Sequence, residues 1–235
     1  EIINRYQVDT VKVIGTAALR TAKNGPAYLK RIQSETGLVV ELIDGIEEAR
    51  LIYLGVSQVW KTPEKPVLIM DIGGGSVEYI IADAHNFYWS QSYPVGVAVL
   101  YRQFHQTEPI STDKKLALKD FLSKHLEGMK PVLDHYRPEI LIGASGTFDV
   151  IGSILDRESS NKYQEVRVEA VKSMIDELVS LNDAQRLADP RIPNSRVDLI
   201  VVALLLLSYT LSLRNFEKIG ISHYALKEGV ASTLI

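Results

Sequence analysis

Asp71, Gly73, Gly74, Gly75 and Ser76 stand within six residues of one another in VLIMDIGGGSVEYIIAD, residues 67–83 of a 235-residue chain. The flanking runs 67–70 and 77–82 are apolar and β-branched, so they read as two strands joined by a tight turn. A two-residue hairpin turn needs one or two glycines, and the surplus suggests backbone pressed close to a ligand. ILIGASGT, residues 140–147, repeats the format with Gly143, Ser145, Gly146 and Thr147 after an apolar strand. Backbone N–H groups in such turns converge on an anion, and a hydroxyl adds a donor, so both segments read as phosphate loops. Asp71 has two readings at this stage: an Asx residue capping its turn, or a carboxylate that holds Mg²⁺ through water.

A third segment, DGIEEARLIYLGV at 44–56, begins a helix. Asp44 is placed to cap it, and Glu47 and Glu48 in the first turn are favoured by the helix dipole, which explains both without any function. A carboxylate at the head of a helix is also well placed to take a proton from a water attacking phosphorus, provided that it faces a cleft.

These residues need elements to position them. The pattern predicts a helical start, a strand in VKVIGTA, a helix over 26–36, a strand in LVVELI and a helix over 46–60, which is the βαβα run of an α/β fold. The glycine hairpin and a third strand over 85–92 form a meander, so the sheet is expected to be mixed. Ser111 or Thr112 caps one long helix reaching about residue 135, with Leu116, Phe121, Leu122, Leu126 and Met129 on its apolar stripe and a kink at Pro131. Beyond the strand at 140–147 the expected order is a helix in FDVIGSIL, a polar stretch at 156–166, a helix over 169–181, a loop with Pro190 and Pro193, and an apolar helix. No internal repeat or low-complexity segment occurs.

Composition narrows the function classes. At 46% hydrophobic content the chain can bury a sizeable core. A net charge of −3 leaves no broad basic surface, so no nucleic-acid partner is expected. The absence of cysteine removes disulfides, thiolate metal sites and thiol nucleophiles, and fits a cytoplasmic protein. The longest uncharged run, 199–213, is fifteen residues, short of the roughly 20 that a membrane span needs, so it reads as a core helix and no membrane partner is expected. His85, His105, His125, His135 and His223 are scattered without ligand spacing, and none is assigned to a metal. The hydrophobic helices also offer a face for a homodimer, which this pattern does not distinguish from a core face. The sequence opens at Glu1 within an amphipathic helix end, without signal peptide or initiator methionine, so residues upstream are expected.

GTAALRTA, DGIEEARLIYLGV, DIGGGSVE and GASGT, in this order and at these separations, resemble the exopolyphosphatase and guanosine pentaphosphate phosphohydrolase (Ppx/GppA) family of the actin and sugar kinase superfamily. The closing YALKEGVAS is similar to the family's final helix. The resemblance implies an α/β, ribonuclease H-like fold of the two-domain actin-like ATPase type, with mixed sheets flanked by helices. It implies hydrolysis of terminal phosphate from polyphosphate or guanosine pentaphosphate, with Mg²⁺ as cofactor. By position, Glu48 matches the base that activates water, Arg20 a phosphate-binding arginine, and Asp71 and Glu78 the acidic positions linked to Mg²⁺. Gly73, Gly74, Gly75 and Ser76 match one phosphate loop, and Gly143, Ser145, Gly146 and Thr147 the other side of the cleft. A surface ion pair is the structural alternative for Arg20. Arg196 is a further substrate contact or a structural arginine before a helix. Val77 replaces a threonine common in the family's motif.

The family's opening strand and Asp-Ile-Gly-Ser/Thr-Asn-Ser loop have no counterpart in these residues. The expectation is therefore an incomplete first domain, residues 1–46 with 224–235, beside a second domain at 47–223, and weak or no activity from this polypeptide by itself. Two other classes stay open: a phosphotransferase of the same superfamily, and a non-catalytic module that binds a phosphorylated nucleotide alarmone.

Overall fold

The computed structural model describes residues 2–60, 65–155 and 161–234. After a one-turn helix α1 (Ile2–Arg5), β1 (Val13–Gly15) leads through α2 (Ala17–Thr21) and α3 (Gly25–Thr36) to β2 (Val40–Leu42), which pairs with β1 in parallel. Then follows α4 (Gly45–Ser57), and the meander β3 (Val67–Ile72), β4 (Val77–Ala82) and β5 (Phe87–Tyr93). Helices α5 (Val97–Phe104), α6 (Thr112–His125) and α7 (Met129–Tyr136) precede β6 (Ile140–Ala144) and α8 (Gly146–Leu155). The chain ends with β7 (Tyr163–Arg167), α9 (Val168–Ser180), α10 (Asp183–Ala188), a 3-10 turn (Asn194–Arg196), α11 (Ile200–Leu213), β8 (Lys218–Ser222) and α12 (Leu226–Ser232).

Six strands form one mixed sheet in the order β5-β4-β3-β6-β8-β7. The meander and the β7–β8 pair are antiparallel, while β3, β6 and β8 run parallel through the centre. This is the α/β mixed sheet with flanking helices that the sequence implied. Every residue of β3 and β4 is buried, as expected of strands covered on both faces. Leu68, Met70, Tyr79 and Ile81 face the larger core with α5 to α9 and α11. Ile69, Ile80 and Ile142 on the opposite face meet Ala49, Ile52 and Val56 of α4. The apolar run is the buried helix α11, whose Thr210 hydroxyl is 2.7 Å from that of Tyr79. No helix among the described residues is long and apolar enough to cross a membrane.

Helix α12 packs tightly on α4. A Cβ on Gly229 would sit 1.7 Å from the Leu51 carbonyl oxygen, and one on Gly55 would sit 1.9 Å from that of Ala225. Ile43, Leu51 and Val230, with Ile14 against them, tie the small β1–β2 sheet to this helix pair. The α4–α12 pair thus stands between the small sheet and the large one, and the open ends of β3, β6 and β8 face the gap.

Several expectations change. The long helix to residue 135 is two helices, α6 and α7, broken around Gly128 rather than at Pro131. Pro131 is the third residue of α7, where its missing N–H would have had no helical partner anyway. Of the expected stripe Leu122, Leu126 and Met129 are buried and Phe121 is partly buried, whereas Leu116 is exposed and Leu118 is buried in its place. Part of the polar stretch is edge strand β7, and residues 156–160 of it lie outside the described residues. The proline loop contains α10, held by a capping box of Asn182 and Gln185. Strand β8 and helices α2 and α5 were not anticipated.

Candidate active site

Asp44 starts α4 by accepting from the N–H groups of Ile46 and Glu47, at 3.0 and 2.9 Å. Gly45 lets this end press onto β5, since a Cβ there would be 2.5 Å from that of Ser92. Glu48 is thereby turned inward and is only 7% exposed. One of its oxygens, Oε2, lies 3.8 Å from the Arg20 guanidinium, an ion-pair distance too long for a hydrogen bond. That buried oxygen has no hydrogen-bond partner among the described residues. Arg20, on α2, donates to the Ile43 carbonyl and so stays beside Glu48 rather than reaching out to solvent.

Asp71 and Glu78 occupy directly opposed positions on β3 and β4. Glu78 accepts from the Ser92 hydroxyl at 2.7 Å. The three carboxylates share one mouth, and their acidities show it. Burial, then Glu78, pushes the Glu48 carboxyl up to about 8, against the pull of Arg20. Burial likewise raises Asp71 to about 7, with hydrogen bonding from Ser145 opposing it and Glu78 and Asp149 adding to it. Glu78 also rises through burial, restrained by the hydroxyls of Ser92 and Ser76 and by Arg20. Like-charged carboxylates held this close favour a proton or a cation between them.

The glycine loop owes its composition to close approach rather than to backbone handedness, for none of Gly73, Gly74 and Gly75 has positive φ. Their carbonyls accept from the first N–H groups of α5: Val97 to Gly73 at 3.0 Å, Ala98 to Gly74 at 2.9 Å and Gly96 to Gly75 at 3.3 Å. A Cβ on Gly96 would be 2.5 Å from Gly74 backbone. Part of the glycine surplus is therefore explained by α5 packing on the loop. The other side of the loop remains available: among the described residues the N–H groups of Gly74, Gly75 and Ser76 donate to no backbone carbonyl, and a Cβ on Gly74 would meet nothing within 4 Å.

A cavity of about 680 Å³ opens in front of this loop. Glu48, Asp71, Gly73, Gly74, Glu78, Ser145 and Gly146 all line it. The other sequence-derived candidates stand back from its wall. Arg20 lies behind Glu48, Gly75 packs on Ala17, Ser76 is buried beside Glu78, and Thr147 is buried in the first turn of α8. Gly143 makes room for a ring, since a Cβ there would be 1.9 Å from Phe148. Arg196 does reach the cavity, its guanidinium laid on Gly146 where a Cβ would be 1.9 Å away.

Lys12, Asp149, His223, Lys227 and Glu228 also line the cavity and were not singled out from sequence. Nδ1 of His223 is 2.6 Å from Oδ1 of Asp149. Asp149 sits four residues past Ser145 in the second loop motif, a signal that was present, whereas His223 is 74 residues further along and only folding pairs them. The cavity has two poles: Glu48, Asp71 and Glu78 on the β3–β4 side, and Asp149, Arg196, His223, Lys227 and Glu228 around the ends of β6 and β8.

Comparison with known proteins places this arrangement in a family. Residues 1–235 match the Ppx/GppA phosphatase family. A guanosine-5'-triphosphate,3'-diphosphate pyrophosphatase of Photobacterium profundum is 31% identical over 158 residues, 66% of this chain and 31% of the relative. The match therefore spans about a third of that relative's length. The crystal structure of an exopolyphosphatase from Cytophaga hutchinsonii superposes with a TM-score of 0.94 at 33% identity, covering 99% of this chain and 77% of the other. That of an Aquifex aeolicus member of the Ppx/GppA protein family gives a TM-score of 0.82 at 26% identity, over 99% and 76%. With the whole sequence matched and the fold shared, this chain belongs to the Ppx/GppA phosphatase family.

Proposed function

We propose that the protein hydrolyses the terminal phosphoanhydride of inorganic polyphosphate, of guanosine pentaphosphate, or of both, with Glu48 as the general base. The observation that carries this reading is the Glu48 carboxylate: buried, lining the cavity, and left with an oxygen that accepts no hydrogen bond among the described residues, Arg20 standing 3.8 Å away. Unpaired buried acceptors are rare and need a partner, and a water positioned for attack supplies one. A carboxyl raised to about 8 suits a base working near neutral pH, because it holds a proton firmly once taken. In the reaction the water's proton passes to Glu48, its oxygen bonds to the terminal phosphorus, and the bond from that phosphorus to the bridging oxygen breaks. The Gly74 N–H, which donates to no backbone carbonyl among the described residues and belongs to a residue lining the cavity, would stabilise charge developing on the phosphoryl oxygens.

The donor set also fits magnesium. Asp71 and Glu78 offer carboxylate oxygens side by side; burial raises the pKa of both, Glu78 adds to the rise of Asp71, and a divalent cation would favour their charged forms. Among the described residues no group of three or more His, Asp or Glu could hold a metal ion unaided, which suits an ion that takes one or two carboxylates together with substrate phosphates. When bound, the ion neutralises charge on those phosphates. Residues 1–46 with 224–235 are read as part of the first actin-like domain and residues 47–223 as the second, with the cleft between them, in a cytoplasmic protein. The test is phosphate release from long-chain polyphosphate and from guanosine pentaphosphate, side by side, by the full-length protein, with and without magnesium. Magnesium-dependent release from at least one is expected; binding of either without release would replace the hydrolase with a sensor.

A further inference from the structure

The base occupies one pole of the cavity, and the hydrolysis proposed above leaves the opposite pole without a role. In-line displacement at phosphorus puts the attacking and leaving oxygens on opposite sides of the transferred group. On the sheet, Ala144 of β6 is paired with Asp71 of β3 on one side and with Ser222 of β8 on the other. Two strand spacings of about 4.8 Å put the ends of β3 and β8 roughly 10 Å apart, room for a phosphoryl group between them. The residue after Ser222 is His223. Its imidazole lines the cavity, and the Asp149 carboxylate, which can only accept when ionised, fixes it through Nδ1 at 2.6 Å. An imidazole oriented through one nitrogen by a carboxylate presents the other for proton transfer.

We infer that His223, oriented by Asp149, is the general acid that protonates the leaving phosphate oxygen. This inference rests on the hydrolase reading. As the water's oxygen bonds to phosphorus, the bond from phosphorus to the bridging oxygen breaks, and its electron pair takes the proton from Nε2 of the imidazolium. The Nδ1 proton stays with Asp149, and neutral imidazole is left. One proton goes from water to Glu48 and one from His223 to the departing chain; solvent restores both groups. Arg196, Lys227 and Glu228 share this end of the cavity, and the His223 N–H donates to the Lys162 carbonyl at 3.0 Å. A leaving chain of phosphates would meet Arg196 and Lys227 there, the lysine lying 3.4 Å from the Glu228 carboxylate. Nothing in the sequence motifs pointed to His223, because the pair exists only once β8 is set beside β6.

The experiment compares wild type with His223→Gln, Asp149→Asn and Glu48→Gln for magnesium-supported release of phosphate, measured as kcat and KM across pH 5.5–9 on whichever phosphoanhydride the wild type cleaves. General-acid help predicts that His223→Gln lowers kcat about 10²-fold with KM changed less than about threefold, and that the alkaline fall in kcat disappears. Asp149→Asn is expected to lose about tenfold in kcat, as a positioning residue would. Unfolding of each variant by urea controls for loss of structure, and His223→Asn provides a second truncation if His223→Gln is unstable. Wild-type kcat in His223→Gln, a change confined to KM, or an alkaline limb that persists would overturn the assignment and leave His223 as a phosphate contact. If Glu48→Gln is inactive while His223→Gln is not, only the acid is lost. If the wild type cleaves no phosphoanhydride, the hydrolase reading falls and takes the acid with it.

Discussion

Replacing Glu48 by glutamine should make the protein more stable at neutral pH while it stops turnover. In the folded protein the Glu48 carboxyl is raised to about 8, from 4.5 when unperturbed. Between these limits the folded state holds a proton that the unfolded chain releases, so unfolding becomes easier as pH rises through that window. The sign is opposite to that of a salt-bridged carboxylate. At about 1.4 kcal/mol per pH unit, Glu48 costs the metal-free protein about 3 kcal/mol at pH 7 relative to pH 4.5. Glutamine has the same shape and no titration. Urea unfolding of both proteins at pH 5, 6, 7 and 8 without divalent cations should show Glu48→Gln gaining on wild type by about 2–3 kcal/mol between pH 5 and pH 7. Asp71 and Glu78 remain in both proteins, and their repulsion of the charged Glu48 is part of the penalty that the substitution removes. Parallel pH profiles, or a wild type that gains on the variant as pH rises, would show that Glu48 is not held in an unfavourable charged state.

Two further substitutions separate the roles of neighbouring residues. Arg20→Gln removes the cation 3.8 Å from Glu48, so the acid limb of kcat/KM should move to higher pH; an unmoved limb would show that Arg20 serves only the Ile43 carbonyl. Gly74→Ala places a Cβ in open space and should change stability by less than about 0.5 kcal/mol while weakening substrate binding. Gly96→Ala, by contrast, drives a Cβ into Gly74 backbone and should cost about 1–3 kcal/mol in urea unfolding. Equal effects of the two alanines would contradict the division of the loop into a packed side and an open side.

The parts of the fold that the sequence made legible are those where one physical signal dominates. The meander announced itself through two β-branched runs around a glycine turn, and α4 through Asp44 followed by a helical apolar pattern. Strand β8 was missed because KIGIS is five residues with a lysine and a central glycine; it is a strand because β6 and β7 pair with it on both sides. The break between α6 and α7 was assigned to Pro131, the residue that disfavours helix interiors, although a proline in a first turn breaks nothing. At the site, Asp71 and Glu48 stood out from their motifs with a capping or helix-dipole reading beside the functional one, while Glu78 came only from the family resemblance. Gly143 resembles a ligand-facing glycine in sequence, but its space is filled by Phe148, a contact that no linear pattern encodes. His223 was illegible for the same reason: its partner Asp149 arrives from another element.

The central claim is that Glu48 takes the proton of the attacking water. The most direct measurement is of turnover and binding together, for wild type and Glu48→Gln, with magnesium and the better of the two phosphoanhydride substrates. A fall in kcat of about 10²–10⁴-fold with substrate affinity retained within about threefold is the expected result. Turnover within a few-fold of wild type would contradict it, and would move the base to another group lining the cavity.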